Sequence, residues 1–466
     1  MKEVPADKFG NRDLEGLLRF LEYVRESALT SGHPAIASIS LRVSDQDPLA
    51  VLQAIQESNE PHLYLERGST SVSGAESVVR LDSSGPDRFD EASAFVKRWS
   101  EHIVKTGDLD GWFSGPLFFH AFAFNEMNSP AATVFIPRWQ VCRTDRECIA
   151  VANVLVEESA DLLPEAQRIL RAHKSVTESS YRGVGAGSLV SVRHVRAEAT
   201  ERFRERVEQA LSTIQNTTLE KVVLSRWLDL EAEDDFRPLE TLRLLRESYP
   251  NCFAFSYSRG SGASWIGATP ERLVRLRNGR FDTEAIAGSV ARGSSLSEDS
   301  ELGENLLLSE KDLREHRFVV EEISRSLEGL GLCPEAARNP QLLRLPNVQH
   351  LRTPISGQNP EGLSLIDLIG ALHPTPAVNG VPHQEAGRLI EELESFSRGL
   401  YSGCLGWEKP SDSGESVVAL RTARMEGDSA RLFAGAGIVE GSSPQKELRE
   451  TEIKFAAMLS ALGVDR

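Results

Sequence analysis

Long apolar runs are absent from this sequence. No segment approaches the roughly 18 consecutive apolar residues that a membrane-spanning helix needs. Residues 1–20 carry scattered charges and lack both the apolar centre of a secretory signal and the Arg/Ser-rich character of a transit peptide. We therefore expect a cytoplasmic protein with no membrane partner.

Cysteine and clustered basic residues are scarce as well. The five cysteines are scattered and form no Cys-x-x-Cys pair, which argues against a disulfide framework and against a zinc site. Asp and Glu outnumber Lys and Arg by 69 to 52, which gives a net charge of −17. Because phosphate backbones are bound by clustered Lys and Arg, nucleic acid is not an expected partner.

The hydrophobic pattern predicts a globular α+β protein. Of the 466 residues, 40% are hydrophobic, which is enough for a large core. Helical periodicity alternates with short β-branched runs, and Asn278-Gly279 supplies the turn chemistry of an antiparallel hairpin. We expect large antiparallel sheets with helices packed outside them.

The chain is predicted to have two halves. A polar, glycine-punctuated stretch at residues 175–188 is the expected connection between them. An N-terminal α/β half, residues 1–190, would contribute to the same fold as the functional region, residues 191–466. In the second half, one long helix is predicted from about residue 303 to 330 and another from about 444 to 462.

The stretch LEKVVLSR, residues 219–226, contains a lysine in an unexpected place. Its Val-Val-Leu run is typical of a buried strand, yet Lys221 would share a strand face with Val223. Either the lysine extends to solvent at the rim of a sheet, or it faces a functional cleft.

Both predicted helices carry paired carboxylates. Asp312 and Glu315 are three residues apart, so they project from one helix face, and the spacing recurs in the second helix at Glu447 and Glu450. If the two faces meet, four oxygen donors surround one point, as Mg²⁺ requires. The alternative is two solvated helix faces with interleaved Lys and Arg.

A glycine pair and two polar residues are further candidates. Gly435-x-Gly437 precedes a predicted helix, but Glu440 occupies the third glycine position of a dinucleotide loop, so a backbone nest for a carboxylate is the better interpretation. His373 lies in a proline-bracketed turn and has either a structural or a functional role. Glu271 follows a strand, where it faces a cleft or caps a turn.

Nine segments, taken in order, resemble the signature set of the chorismate-utilising enzymes: LEKVVLSR, WIGATPERL, TEAIAGSVARG, SEKDLREHRFVVE, LHPTPAVNG, RGLYSGCLGW, VVALRTA, RLFAGAGIVEGS and ELRETEIKF. The resemblance covers about residue 195 to the C-terminus and is strongest to the isochorismate synthases. It implies antiparallel sheets packed face to face with helices outside, chorismate as substrate, and Mg²⁺ as cofactor.

The resemblance also implies a role for each matched residue. Lys221 corresponds to the general base that activates water, and Glu271 to the general acid that protonates the departing hydroxyl, which requires a raised pKa for Glu271. Asp312, Glu315, Glu447 and Glu450 correspond to the Mg²⁺ shell, with Glu315 and Glu450 as the direct ligands. Substrate contacts are implied for Gly288, Ser289, Tyr401, Arg421, Gly435, Ala436, Gly437 and Lys454. His373 matches the active-site histidine.

Two positions favour water over ammonia as the nucleophile. Ammonia-using relatives carry glutamine where this chain has Lys221, and aminodeoxychorismate synthases place a nucleophilic lysine where it has Ala287. We therefore expect no glutaminase subunit. The expected oligomeric state is a monomer. Ser289 replaces the threonine of many relatives, which leaves open a salicylate synthase that goes on to eliminate pyruvate. A third alternative is a catalytically silent protein that keeps only the scaffold. The choice between the menaquinone and siderophore pathways also stays open.

Overall fold

The structure is a computed structural model that describes residues 1–5, 13–57, 59–178, 190–360, 362–410 and 413–464. The helices in this part of the chain are α1 (Leu14–Ser31), α2 (Pro48–Ile55), α3 (Arg88–Glu101), α4 (Leu162–Glu178), α5 (Thr200–Asn216), α6 (Pro238–Ser248), α7 (Leu296–Leu308), α8 (Glu310–Gly329), α9 (Leu365–Leu372), α10 (His383–Leu393) and α11 (Pro444–Ala461).

The strands of the N-terminal half are β1 (Lys2–Glu3), β2 (Ala35–Val43), β3 (Pro61–Arg67), β4 (Thr70–Ser83), β5 (Ile103–Gly107), β6 (Phe118–Phe122), β7 (Ala132–Arg143) and β8 (Cys148–Val156). Those that follow are β9 (Val192–Ala197), β10 (Lys221–Ala232), β11 (Phe253–Arg259), β12 (Ser264–Thr269), β13 (Arg272–Arg277), β14 (Arg280–Ala291), β15 (Glu335–Ala336), β16 (Gln341–Arg344), β17 (Val348–Gln358), β18 (Gly380–Val381), β19 (Cys404–Lys409), β20 (Ser413–Val418), β21 (Thr422–Glu426) and β22 (Ser429–Val439).

The strands form two arms that meet at the long strand β7. The first arm runs β7–β4–β3–β11–β12–β21–β22–β10, and the second runs β7–β6–β19–β20–β13–β14–β17; all of these pairings are antiparallel. Strand β8 extends β7 towards β2 and β5, where the pairing of β5 with β1 and β2 is parallel. The predicted antiparallel α+β architecture is confirmed.

The two arms pack face to face across an apolar core. Leu65 of β3 and Phe255 of β11, in the first arm, share one buried cluster with Phe119 of β6 and Leu405 of β19, in the second. Helices cover the outer faces: α8 buries Val319 against β13 and β14, and α5 and α10 pack against β10. None of the helices described is long and apolar enough to cross a membrane.

Both halves of the chain contribute strands to the arms. Tyr64 of β3 pairs with Ser256 of β11, so an N-terminal strand adjoins the functional half directly. Residues 175–178, predicted to begin a connecting loop, instead end α4, because the apolar side of this helix continues to Val176. Residues 179–188 of that predicted loop lie outside the described residues, and the boundary near residue 190 stays a prediction.

The predicted long helix from residue 303 to 330 is two helices. α7 and α8 meet at Ser309, which has extended geometry (φ −70°, ψ 111°) and accepts a hydrogen bond from the backbone N–H of Asp312. A serine that caps a helix in this way satisfies an amide left free at the start of the next helix. The break places Asp312 in the first turn of α8.

The glycine-rich segment near residue 435 is also different from the prediction. Gly435 and Gly437 lie inside β22, opposite Ser225 and Val223 of β10, and form no loop or nest. Their missing side chains leave space above the sheet at a point where other elements converge.

Candidate active site

A small cavity lies where the ends of several elements meet. Its volume is about 80 Å³, and its walls come from β10, the link from β12 to β13, β14, β17, β22, α8, α11 and the turn after α9. The predicted site residues that line it are Glu271, Gly288, Ser289, Glu315, Tyr401, Arg421, Gly435, Gly437, Glu450 and Lys454. Residues far apart in the sequence are therefore brought to one place.

Lys221 is buried beside this cavity and does not lie at a solvent-exposed rim. Only 1% of its side chain is exposed, and its Nζ lies 3.0 Å from Glu315 Oε1. A Cβ at residue 437 would lie 2.4 Å from the same carboxylate oxygen, so only glycine allows this ion pair to form against β22. Lys221 does not itself line the cavity; it stands behind Glu315 and Gly437.

Glu271 is the buried acid of the cavity. It lies between β12 and β13, where its backbone N–H donates to Thr269 Oγ1 and its Oε1 accepts a hydrogen bond from Thr375 Oγ1 at 3.4 Å. Burial, and then the negative charge of Glu284, raise the pKa of Glu271 to about 8, against the opposing charge of Lys221. The prediction of a raised pKa is confirmed, and the carboxyl group is protonated at neutral pH.

Arg421, His350 and Ser289 form a chain of polar contacts along one wall. Arg421 Nη2 donates to His350 Nε2 at 3.2 Å, so the ring proton is on Nδ1, which lies 3.0 Å from Ser289 Oγ. Burial and then the charge of Arg421 lower the pKa of His350 well below its usual value, which keeps the ring neutral. The Ser289 hydroxyl oxygen therefore accepts a hydrogen bond from the histidine, and its own O–H group is available to donate to a ligand.

Arg421 has an unsatisfied donor. Its Nη1 is buried without a hydrogen-bond partner, and no carboxylate lies within ion-pair distance of the guanidinium among the residues described. Leaving a buried charge uncompensated is costly. A guanidinium held in this way is suited to bind a carboxylate or another anion of a ligand.

An aromatic stack forms an apolar part of the cavity wall. The Tyr401 and Phe433 rings are stacked with centroids 5.1 Å apart, and the Trp265 ring is stacked with Phe433 at 5.8 Å. A Cβ at residue 435 would lie 2.8 Å from the Tyr401 hydroxyl, so the phenol lies directly on the Gly435 backbone. The flat wall is suited to a planar ring.

His373, the predicted active-site histidine, does not line this cavity, and its role stays a prediction. Its Nε2 lies 3.1 Å from the Ala123 carbonyl oxygen, and its ring packs edge-on against Phe89. The cis His373–Pro374 bond follows directly. His350, in the middle of β17, is the histidine of the cavity. Nothing in its local sequence, VQHLRT, marks it; only the pairing of β17 with β14 brings it opposite Ser289.

The predicted glycine contacts are divided between two faces. Gly435 and Gly437 face the cavity, whereas Ala436 lies between them and its methyl group points to the opposite side of β22. Gly288 forms a bulge in β14 with φ +76°, and a Cβ there would lie 3.2 Å from Asp312 Cβ. The bulge therefore needs glycine both for its backbone conformation and for the approach of α8.

The two carboxylate pairs converge from α8 and α11. Burial, followed by the charges of Glu315 and Glu450, raises the pKa of Asp312, and burial together with Glu450 raises that of Glu447. Glu450 therefore lies near enough to repel both Asp312 and Glu447, and Glu315 near enough to repel Asp312. The interpretation of solvated helix faces is wrong for Glu315 and Glu447, which are 8% and 2% exposed.

Lysines lie among these carboxylates. The ion pairs are Lys221–Glu315 at 3.0 Å, Lys311–Glu447 at 3.0 Å and Lys454–Glu450 at 2.7 Å. Lys454 also donates to the Gly435 carbonyl oxygen at 2.8 Å. Within the described chain, no three His, Cys, Asp or Glu side chains are arranged as ready-made metal ligands. The carboxylates of α8 and α11 still suit a hard divalent cation, because they offer oxygen donors and concentrate negative charge.

Comparisons with known proteins agree with this geometry. The family model described as "Chorismate binding enzyme" matches residues 22–463. The chain is 31% identical to isochorismate synthase MenF of Bacillus subtilis, over 93% of this chain and 95% of that protein. It is 32% identical to the salicylate biosynthesis isochorismate synthase of Pseudomonas aeruginosa, over 92% and 90% of the two chains. Its fold is similar to that of the menaquinone-specific isochorismate synthase MenF from Escherichia coli, with a TM-score of 0.78, 28% identity, and coverage of 95% and 99%.

Proposed function

The chain belongs to the family of chorismate-binding enzymes, and on that premise we propose that it is an isochorismate synthase. The reaction is an isomerisation in which water adds to one ring carbon of chorismate and the hydroxyl on another carbon leaves. The main supporting observation is that two buried groups line one small cavity. Arg421 has a donor without a partner, which suits an anion, and Glu271 is protonated at neutral pH.

The binding residues suit a dianionic ring acid. In our proposal Arg421 holds the enolpyruvyl carboxylate through its free Nη1, with Ser289 donating a second hydrogen bond. The stacked rings of Tyr401 and Phe433 cover the face of the cyclohexadiene. Lys454, which lies on the Gly435 carbonyl, supplies positive charge at the other end.

Two residues move protons in the proposed reaction. Lys221 acts in its neutral form, which requires that it give up the proton it holds in the ion pair with Glu315. The neutral amine takes a proton from the attacking water, whose oxygen bonds to the ring, while the double bonds shift. Glu271 gives its proton to the departing hydroxyl, which leaves as water, so one water enters and one leaves. The raised pKa of Glu271 supports this assignment, because the group holds a proton at neutral pH.

A divalent cation, Mg²⁺, is part of the proposal. Glu315 and Glu450 would be its direct ligands, with Asp312 and Glu447 around them. Once bound, the cation would offset the repulsion among the four acids and attract the ring carboxylate of the substrate. Its support is the donor chemistry of the two helices and the raised pKa values of Asp312 and Glu447, to which neighbouring carboxylates contribute.

A product assay tests the function. Purified protein is mixed with chorismate and Mg²⁺, and the products are separated by chromatography, with and without a chelator. Isochorismate that forms only with the cation is the expected result. Salicylate fluorescence would identify the alternative salicylate synthase, and the absence of both products would exclude both functions. The names of the relatives include menaquinone and salicylate biosynthesis, so the proposal is confined to the step they share.

A further inference from the structure

The strand that carries Lys221 has an incomplete edge next to the cavity. On one side β10 pairs with β22 along residues 221–231. On the other side β18 pairs only with residues 221–222, and β9 only with residues 228–232. Among the strands described, none pairs with residues 223–227 on this side. Backbone groups in a buried edge need other partners.

Glu394 and Arg398 fill much of this gap. Glu394 Oε1 accepts hydrogen bonds from the Ser225 backbone N–H at 2.7 Å and from Ser225 Oγ at 2.9 Å. Arg398 Nη2 donates to the Val223 carbonyl oxygen at 2.7 Å. Two side chains thus make the hydrogen bonds that a neighbouring strand would have made.

The same arginine reaches the opposite wall of the cavity. Arg398 Nη1 donates at 2.9 Å to the carbonyl oxygen of Val378, which lines the cavity. Val378 and Asn379 both donate their backbone N–H groups to the Thr375 carbonyl oxygen, and the Thr375 hydroxyl donates to Glu271. One guanidinium therefore connects the strand of Lys221 to the turn that contacts Glu271, in addition to the backbone hydrogen bond that Val223 N–H donates to the Asn379 carbonyl oxygen at 2.8 Å.

Two hydrogen bonds fix the geometry of the Glu394–Arg398 ion pair. Arg398 Nε and Nη2 lie 2.8 and 2.6 Å from the two oxygens of Glu394, and each side chain is only 2% exposed. Buried ion pairs often add little net stability because desolvation offsets their attraction. A bidentate fork, by contrast, fixes direction as well as distance. The pair is therefore better suited to setting geometry than to stabilising the fold.

We propose that Glu394 and Arg398 are positioning residues for the reaction, which hold the Lys221 strand and the Thr375 turn at the separation that the base and the acid need. Neither side chain lines the cavity, so they act through Val223, Val378 and Thr375. The inference rests on the proposed function for its kinetic part only, because the coupling of strand and turn is a property of the fold.

A second ion pair on the same strand edge supplies a matched control. Arg206 Nη2 lies 2.5 Å from Glu198 Oε2 and 3.0 Å from the Ser225 carbonyl oxygen, and both side chains are 5% exposed. Among the described residues, no hydrogen bond or ion pair joins this pair to the turn after α9, although the charge of Glu394 acts on Arg206. Glu394→Gln and Glu198→Gln therefore remove the same charge from the same edge, but only the first loosens the turn.

Two measurements on these variants test the proposal. In Glu394→Gln, hydrogen exchange at the amides of Val378 and Asn379 is expected to be at least tenfold faster, and kcat at least tenfold lower. KM should stay within twofold, because Arg421, Ser289 and Lys454 are not touched. Glu198→Gln should leave turn exchange and kcat within twofold of the unmodified protein at a similar loss of thermal stability.

The outcomes of these measurements distinguish a failure of the positioning role from a failure of the proposed function. Equal effects of both substitutions, or normal exchange in Glu394→Gln, would overturn the positioning role and leave a structural one. If the unmodified protein makes no isochorismate, the proposed function fails, but the exchange experiment still decides the coupling. Should Glu394→Gln not fold, Arg398→Lys replaces it: one ammonium keeps the charge opposite Glu394 but does not bridge both carbonyl groups, so the same faster exchange is expected.

Discussion

Lys221 and Glu315 form a buried ion pair of 3.0 Å that joins β10 to α8. Burial alone would raise the pKa of Glu315, but the charge of Lys221 reverses this and lowers it. The contact links the proposed general base to a proposed ligand of the metal. The two residues are therefore neighbours in space, although 94 residues separate them in the sequence (315 − 221 = 94).

Removal of the Lys221 amine should abolish most of the activity. We expect Lys221→Met to lower kcat by about 10³-fold, the scale of general base catalysis, because the group that takes the proton from water is lost. The steady-state formation of isochorismate measures this. Lys105→Met is the matched control, since Lys105 is also buried and paired, with Glu3, in the N-terminal half. Activity retained in Lys221→Met would contradict the base assignment.

The activity should depend on pH through Glu271. An acid must be protonated to act, so kcat should be high below the pKa of about 8 and fall about tenfold per pH unit above it. Glu271→Gln should lower kcat by about 10³-fold at pH 7. The measurement is a kcat profile from pH 6 to 10.

A second buried carboxyl group provides the control for that profile. Burial raises the pKa of Glu408 to about 7, and its Oε1 accepts a hydrogen bond from the Leu365 backbone N–H, away from the cavity. Glu408→Gln should therefore leave the alkaline limb in place. A limb that moves in Glu408→Gln would show that Glu271 is not the titrating acid.

Substrate affinity should depend on the geometry of Arg421. Arg421→Lys keeps the charge but loses the fork that contacts His350 and, in our proposal, a carboxylate of the substrate. Because charge-assisted hydrogen bonds contribute about 1.5–3 kcal/mol, KM should rise about 10–100-fold. Arg424→Lys on β21 is the control, since Arg424 is paired with Glu426 and does not line the cavity. Equal KM values in both variants would argue against this anion site.

The acidic shell should bind Mg²⁺ even without substrate. We expect the cation to raise the melting temperature of the protein, since a ligand of the folded state stabilises it. Glu450→Gln should abolish this shift and raise the Mg²⁺ concentration needed for activity at least tenfold. Glu452→Gln, two residues along α11 and exposed, should behave like the unmodified protein. A shift that persists in Glu450→Gln would place the cation elsewhere.

The sequence predicts much of this site because its residues lie in segments with recognisable local order. Glu271 leaves a strand, the carboxylates have helical spacing, and Asn278-Gly279 forms the expected hairpin turn with both residues at positive φ. Such signals are local. The antiparallel sheets follow from them, as does the position of α11.

Features that depend on the pairing of strands far apart in the sequence could not be predicted from local patterns. His350 reaches the cavity only because β17 pairs with β14, whereas the conspicuous His373, in its proline-bracketed turn, is directed to the Ala123 carbonyl. Likewise, the burial of Lys221 depends on Gly437 from a strand more than 200 residues away (437 − 221 = 216). The capping serine at residue 309 was a local signal that the helical periodicity on both sides concealed.

The volume of the cavity has a consequence for turnover. At about 80 Å³ it is much smaller than the ~300 Å³ at the lower end of ordinary small-molecule sites. If the cavity takes the substrate proposed above, a cyclohexadiene with two carboxylates, a wall would have to move outward for the substrate to enter and for the product to leave. Opening and closing would then belong to every cycle of the proposed reaction, so kcat should respond to solvent viscosity if this motion, and not bond rearrangement, is rate-limiting.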